Sequence, residues 1–84
     1  MAESWEVQIH RNVTQVVYLL PKEFAQPIRN MIARFAQNPY PESRMLIGGF
    51  EEVFQVLVAN HDILFQVLEE PQQIVRVVKV QLHQ

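Results

Sequence analysis

Residues 60–82 read Asn60-His61-Asp62-Ile63-Leu64-Phe65-Gln66-Val67-Leu68-Glu69-Glu70-Pro71-Gln72-Gln73-Ile74-Val75-Arg76-Val77-Val78-Lys79-Val80-Gln81-Leu82. Two runs rich in Val, Ile, Leu and Phe, about 62–69 and 74–82, flank Glu69-Glu70-Pro71-Gln72-Gln73, a connection short enough for a hairpin. A third run, about 44–58, ends at the turn residues Ala59-Asn60-His61-Asp62. Three strands joined by short turns predict an antiparallel meander over the C-terminal half. Gly48-Gly49 lies early in the first of these strands, where paired glycines permit either a bulge or a sharp bend.

Working toward the N-terminus, Asn38-Pro39-Tyr40-Pro41-Glu42-Ser43 is the one Pro-rich linker, and prolines at 39 and 41 exclude continued helix. Before it the pattern is helical. Phe24, Ile28, Met31 and Phe35 form a stripe at helical spacing with Ile32 beside it, and Leu20-Pro21-Lys22-Glu23 reads as the break that opens this helix. Pro27 removes one backbone donor, which predicts either a kink there or a regular helix starting near it. Asn12 followed by Gln15, with Val13, Val16, Val17 and Leu20, predicts a short helix over about 12–20, although its valines also suit a strand. Trp5-Glu6-Val7-Gln8-Ile9-His10 alternates without a break, placing Trp5, Val7 and Ile9 on one face of a strand and Glu6, Gln8 and His10 on the other. The predicted order is strand, helix, helix, strand, strand, strand.

Composition narrows the function. The chain has 84 residues, 49% of them hydrophobic and 19% charged, with no cysteine and a formal net charge of -2. That is one domain, residues 1–84, burying roughly 60–65% of its unfolded surface and leaving little stability in reserve. A stabilising partner or a homodimer is therefore an expectation of size alone. Without cysteine there is no disulfide framework, thiolate nucleophile or Cys-based zinc site. No stretch of about 18 apolar residues occurs, and no basic region precedes an apolar run at the start, so a soluble cytoplasmic protein with no membrane association is expected. Seven Lys and Arg against nine Asp and Glu argue against strong non-specific binding to nucleic acid.

His10, His61 and His83 fall on a strand end, a turn and the C-terminus without metal-ligand spacing, so no metal or other cofactor is expected, and a metal-dependent enzyme has little in its support. Glu51-Glu52 and Glu69-Glu70 read as solvated turn acids. On the last strand, simple alternation puts Ile74, Arg76, Val78, Val80 and Leu82 on one face and Val75, Val77, Lys79, Gln81 and His83 on the other. Lys79, Gln81 and His83 would form a polar, partly basic ledge able to contact a phosphate or an acidic peptide, or simply a solvated strand end.

Several phrases, taken in order, resemble the RelE/ParE superfamily of bacterial type II toxins. Trp5-Glu6-Val7-Gln8-Ile9 resembles its opening strand, Leu20-Pro21-Lys22-Glu23 its junction between two helices, and Asn38-Pro39 the close of the second helix. Gly49 through Phe54 is similar to a Gly-x-x-x-x-Tyr segment with Phe for Tyr, and Asn60 through Val67 resembles the strand Asp-Tyr-Arg-Ile-Leu-Tyr-Glu-Ile. The resemblance implies an α+β fold of order β-α-α-β-β-β, an antiparallel sheet with two helices packed on one face. It also implies a toxin neutralised by a cognate antitoxin, acting in stress by inhibiting translation or gyrase.

RelE-like members cut messenger RNA on the ribosome with basic side chains while the RNA's own 2′-hydroxyl attacks. Two positions usually Lys or Arg are here Gln55 and Leu57, and a usual Arg is Asp62. Lys79 and His83 fall at or near remaining basic positions and are the catalytic candidates, and no C-terminal tyrosine follows His83. Losing charge stabilisation costs about 10²–10³ per strong donor, so RelE-type cleavage is expected to be weak or absent. The alternative is a degenerate member of the fold kept as a non-enzymatic interaction module, binding through its edge strand and a patch beside Phe54, Leu57 and Phe65.

Overall fold

The computed structural model describes residues 4–41, 44–47 and 53–84. In chain order the elements are β1 (Glu6–Ile9), α1 (Arg11–Leu19), α2 (Lys22–Arg34), β2 (Met45–Leu46), β3 (Val53–Val58), β4 (His61–Leu68) and β5 (Ile74–Leu82). They form an α+β domain with one five-stranded sheet of order β1-β5-β4-β3-β2.

Alternation in β1 turns Val7 inward, where it and Trp5 pack on the core. The segment that follows is a helix despite its valines, because Val13 and Val17, one turn apart, are both buried while Thr14, Gln15 and Tyr18 face out. The expected cap at Asn12 is displaced by two residues. His10 is the N-cap, and its Nδ1 accepts from the backbone N–H of Asn12 at 3.0 Å. In α2, Ala25, Ile28 and Ile32 are buried, with Phe35 at the C-cap, while Phe24 and Met31 border the stripe half-buried. Pro27 lies within α2, which is assigned continuously from Lys22 to Arg34.

Two sheet expectations are corrected. The run 44–58 is two strands, since Met45 pairs with Gln55 and Leu46 with Phe54. A single strand of that length would span about 50 Å, whereas the longest axis of the molecule is 36 Å. Gly48-Gly49 and the acids Glu51-Glu52 lie outside the described residues. The sheet is also mixed. The meander β2-β3-β4-β5 is antiparallel as expected, but β1 pairs parallel with β5, Val7 opposite Val75 and Ile9 opposite Val77. The two helices carry the chain from one sheet edge to the other, and three reversals then return it beside β1 running the same way.

The core lies between helices and sheet. Phe35 of α2 stacks on Phe65 of β4 with ring centroids 4.4 Å apart, and Phe65 continues to Phe54 at 5.7 Å. Val56, Ile63, Val75 and Val77 are fully buried around them. Below, Tyr40 of the proline-rich loop meets Trp5 and Phe54 edge-on, and Arg44 sits over both the Tyr40 and Phe54 rings.

One irregularity positions the site. Between the pairs Phe65–Val77 and Leu64–Lys79, Val78 is left without an opposite residue. This β-bulge resets the alternation of β5. Val75, Val77 and Val80 all face the helices, and Arg76, Lys79 and Gln81 all lie on the open face. The uninterrupted alternation expected for β5 is therefore wrong beyond Val77: Arg76 leaves the company of Val80 and joins Lys79, Gln81 and His83.

Candidate functional site

The register lays the open face out as rows. Leu57 of β3, Asp62 of β4 and Gln81 of β5 stand side by side in one row, and Gln55, Leu64 and Lys79 in the next. Gln66 and Arg76 follow, with the Arg76 Nε donating to Gln8 Oε1 of β1 at 3.3 Å. Residues that the sequence scatters over thirty positions thus become neighbours. Gln55, Leu57, Asp62 and Lys79 occupy adjacent rows, and His83, two residues beyond Gln81, lies diagonal to Asp62 within side-chain reach.

Asp62 and His83 meet directly. The His83 Nδ1 is 2.9 Å from Oδ1 and 3.0 Å from Oδ2 of Asp62. The Asp62 side chain is 8% exposed, whereas the His83 side chain is 48% exposed. A carboxylate oxygen accepts, so Nδ1 carries the hydrogen and Nε2 is the nitrogen left to a ligand. The backbone supports the arrangement, because the His83 N–H donates to the Asn60 carbonyl at 2.9 Å and holds the chain against the β3–β4 turn. Asp62, His83, Gln55, Gln81 and the last residue Gln84 line an open cavity of about 470 Å³.

The ledge expected from the sequence is therefore divided. His83 and Gln81 line the cavity while Lys79 stands one row away, outside its lining. Asp62, read from the sequence as a lost cation, is instead the partner of His83. Arg76 was missed because simple alternation put it on the wrong face. The signal was the adjacent pair Val77-Val78, across which the polar positions change parity from Arg76 to Lys79 and Gln81.

The other histidines are structural. His61, expected in a turn, is the first residue of β4, 6% exposed, tilted against Phe24 at 5.6 Å, and its Nδ1 donates to the Ala59 carbonyl at 2.7 Å. His10 caps α1. Among the described residues no three His, Asp or Glu side chains gather as a metal ion requires.

A second surface lies on the helix side. An apolar trough of about 470 Å³ opens between β1, α1 and α2, floored by Val7, Val13, Val17 and Ile32 with Tyr18 and Arg29 at its rim. Ile9 lines it half-exposed, and Val16 and Leu19 of α1 are also exposed. Among the described residues no helix is long and apolar enough to cross a membrane.

No protein-family model matches the sequence, and none of the curated proteins matches it. Solved structures do. A chain of the archaeal RelE–RelB complex from Pyrococcus horikoshii superimposes with a TM-score of 0.80 at 14% identity, over 94% of each chain. The isolated RelE toxin of E. coli gives 0.79 at 13% identity, covering 96% of this chain and 86% of the toxin. The toxin–antitoxin complex RelBE2 of Mycobacterium tuberculosis gives 0.76 at 10% identity, covering 95% and 99%. The chain has the RelE fold over essentially its whole length.

Proposed function

We propose that this chain is the toxin-type member of a toxin–antitoxin pair, acting on RNA through the open face of its sheet. One observation carries the reading. The positions that the resemblance assigned to chemistry, Gln55, Leu57, Asp62, Lys79 and His83, are assembled on one face although they come from three strands, with Gln55, Asp62 and His83 lining one cavity and Leu57 and Lys79 beside it. The fold supports it too, since two of the similar structures are complexes with an antitoxin.

The antitoxin in this reading lies over the trough between β1, α1 and α2. Arg11, Lys22, Arg29 and Arg34 are all exposed on the two helices and Glu23 is the acid there, which suits an amphipathic segment with acidic edges. The test is expression of the chain alone under tight control, beside co-expression with the product of the neighbouring small gene. Growth arrest alone, relieved by co-expression and by Lys79→Ala with His83→Ala, is the expected result. Unimpaired growth with soluble folded protein sinks it. Inhibition of supercoiling by the purified chain, with messages intact, would move the target to gyrase.

A second reading, a non-enzymatic interaction module, is favoured by Leu57, an apolar side chain 52% exposed at the β3 end of the row that holds Asp62. Exposed Met45 and Leu46 on edge strand β2 extend the same argument to strand pairing with a partner or a second copy.

A further inference from the structure

A buried carboxylate that fixes one nitrogen of the half-exposed His83 imidazole leaves the other nitrogen facing the open cavity.

We propose that Asp62 is a positioning residue that holds His83 as a proton acceptor, so that the site cleaves RNA by acid–base chemistry in place of the lost cations. The inference rests on the toxin reading above and deepens it. Its basis is geometric. Among the described residues no Lys or Arg side chain pairs with Asp62, and both its oxygens lie within 3.0 Å of the same Nδ1. Nε2 of His83 makes no hydrogen bond among the described residues. Gln55 and Gln81 flank the cavity with amides that donate to phosphate oxygens without a charge.

The step balances without a cofactor. The 2′-oxygen of a nucleotide bonds to the adjacent phosphorus as its proton passes to Nε2 of His83. The phosphorus–O5′ bond breaks, the departing oxygen takes a proton from water, and the imidazolium returns its proton to the hydroxide so formed. The products are a 2′,3′-cyclic phosphate and a 5′-hydroxyl. An orienting carboxylate holds the neutral ring in place as the Nδ1–H tautomer, which leaves Nε2 as the acceptor, and proton transfer to a side chain so positioned is worth roughly 10²-fold or more.

The experiment has two readouts on the full chain. In ¹⁵N NMR of the histidine rings, neutral His83 is expected as the Nδ1–H tautomer, like His61, with His10 as the Nε2–H contrast because its Nδ1 accepts from Asn12. Asp62→Leu is expected to move His83 to the Nε2–H form and leave His10 and His61 unchanged, which also reports an intact fold. Asp62→Asn, whose amide oxygen still accepts, is expected to keep the Nδ1–H form. In cleavage of ribosome-bound message, Asp62→Leu and His83→Ala are expected to lose roughly 10²-fold or more, Asp62→Asn less, and Asp62→Arg all activity.

Wild-type protein that cleaves while Asp62→Leu or Asp62→Arg cleaves equally well overturns the positioning role alone. A wild-type His83 in the Nε2–H form does the same. Wild-type protein that leaves message intact although His83 is held as Nδ1–H overturns the ribonuclease reading itself.

Discussion

Asp62 and His83, twenty-one residues apart in sequence, are joined with Nδ1 at 2.9 and 3.0 Å from the two carboxylate oxygens, one partner buried and the other half in water. The asymmetry makes the pair directional. Removing the histidine strands a buried acceptor, while removing the acid leaves a ring that solvent satisfies.

His83→Ala is therefore expected to destabilise the fold by roughly 1–3 kcal/mol, and Asp62→Leu by clearly less. Urea denaturation of both variants decides it. Equal losses would mean that Asp62 is solvated after the histidine is gone.

The β3–β4 turn carries an avoidable cost. Ala59 has φ 51° and Asn60 φ 62°, the two positive values that a type I′ hairpin turn requires. Alanine in that region costs about 1 kcal/mol. Replacing Ala59-Asn60 by Asn-Gly is expected to raise stability by about 1 kcal/mol, a shift in Tm of about 4–8 °C. An unchanged Tm would show that the site tolerates alanine without strain.

Tyr40 ties the linker to the core through its ring and to Glu69 through its hydroxyl, which donates to the carboxylate. Tyr40→Phe keeps the ring contacts with Trp5 and Phe54 and is expected to cost at most about 1.5 kcal/mol. Tyr40→Ala is expected to cost about 3 kcal/mol or more. Similar values for the two would place the energy in the hydroxyl rather than the ring.

Deletions along β5 test the bulge. Removing Val78 brings the pairs Phe65–Val77 and Leu64–Lys79 into regular succession, so the variant is expected to fold with Asp62 and His83 still adjacent. Removing Val80 sets Gln81 opposite buried Ile63 and puts an amide into the core, at an expected cost of at least about 2 kcal/mol. An amide-proton NMR spectrum of each variant separates the two, and an unfolded Val78 deletion would show that the bulge itself is needed.

If an antitoxin covers the helix-side trough, Tyr18→Asp is expected to weaken co-purification strongly and leave the Tm nearly unchanged, since Tyr18 is 78% exposed. Undiminished co-purification would move the contact to the sheet.

Much was legible without coordinates. Alternation in Trp5–His10, the stripe Phe24–Phe35 and the three apolar runs are local periodicities, and local periodicity follows from which side chains must leave water. The exchange of one strand for β2 and β3, and the parallel pairing of β1, escaped it. Both depend on where distant segments come to rest.

The sequence by itself therefore determined the α+β class, the succession of a strand, two helices and an antiparallel meander, and the residue types at Gln55, Leu57, Asp62, Lys79 and His83. Tertiary structure alone decided that Val78 bulges, that Arg76 shares a face with Lys79, and that Asp62 serves His83. A single unpaired residue in a strand exchanges its faces beyond that point, because side chains alternate with period two, and the pattern is the same whether Val77 or Val78 is the extra residue, a choice made only by pairing with β4.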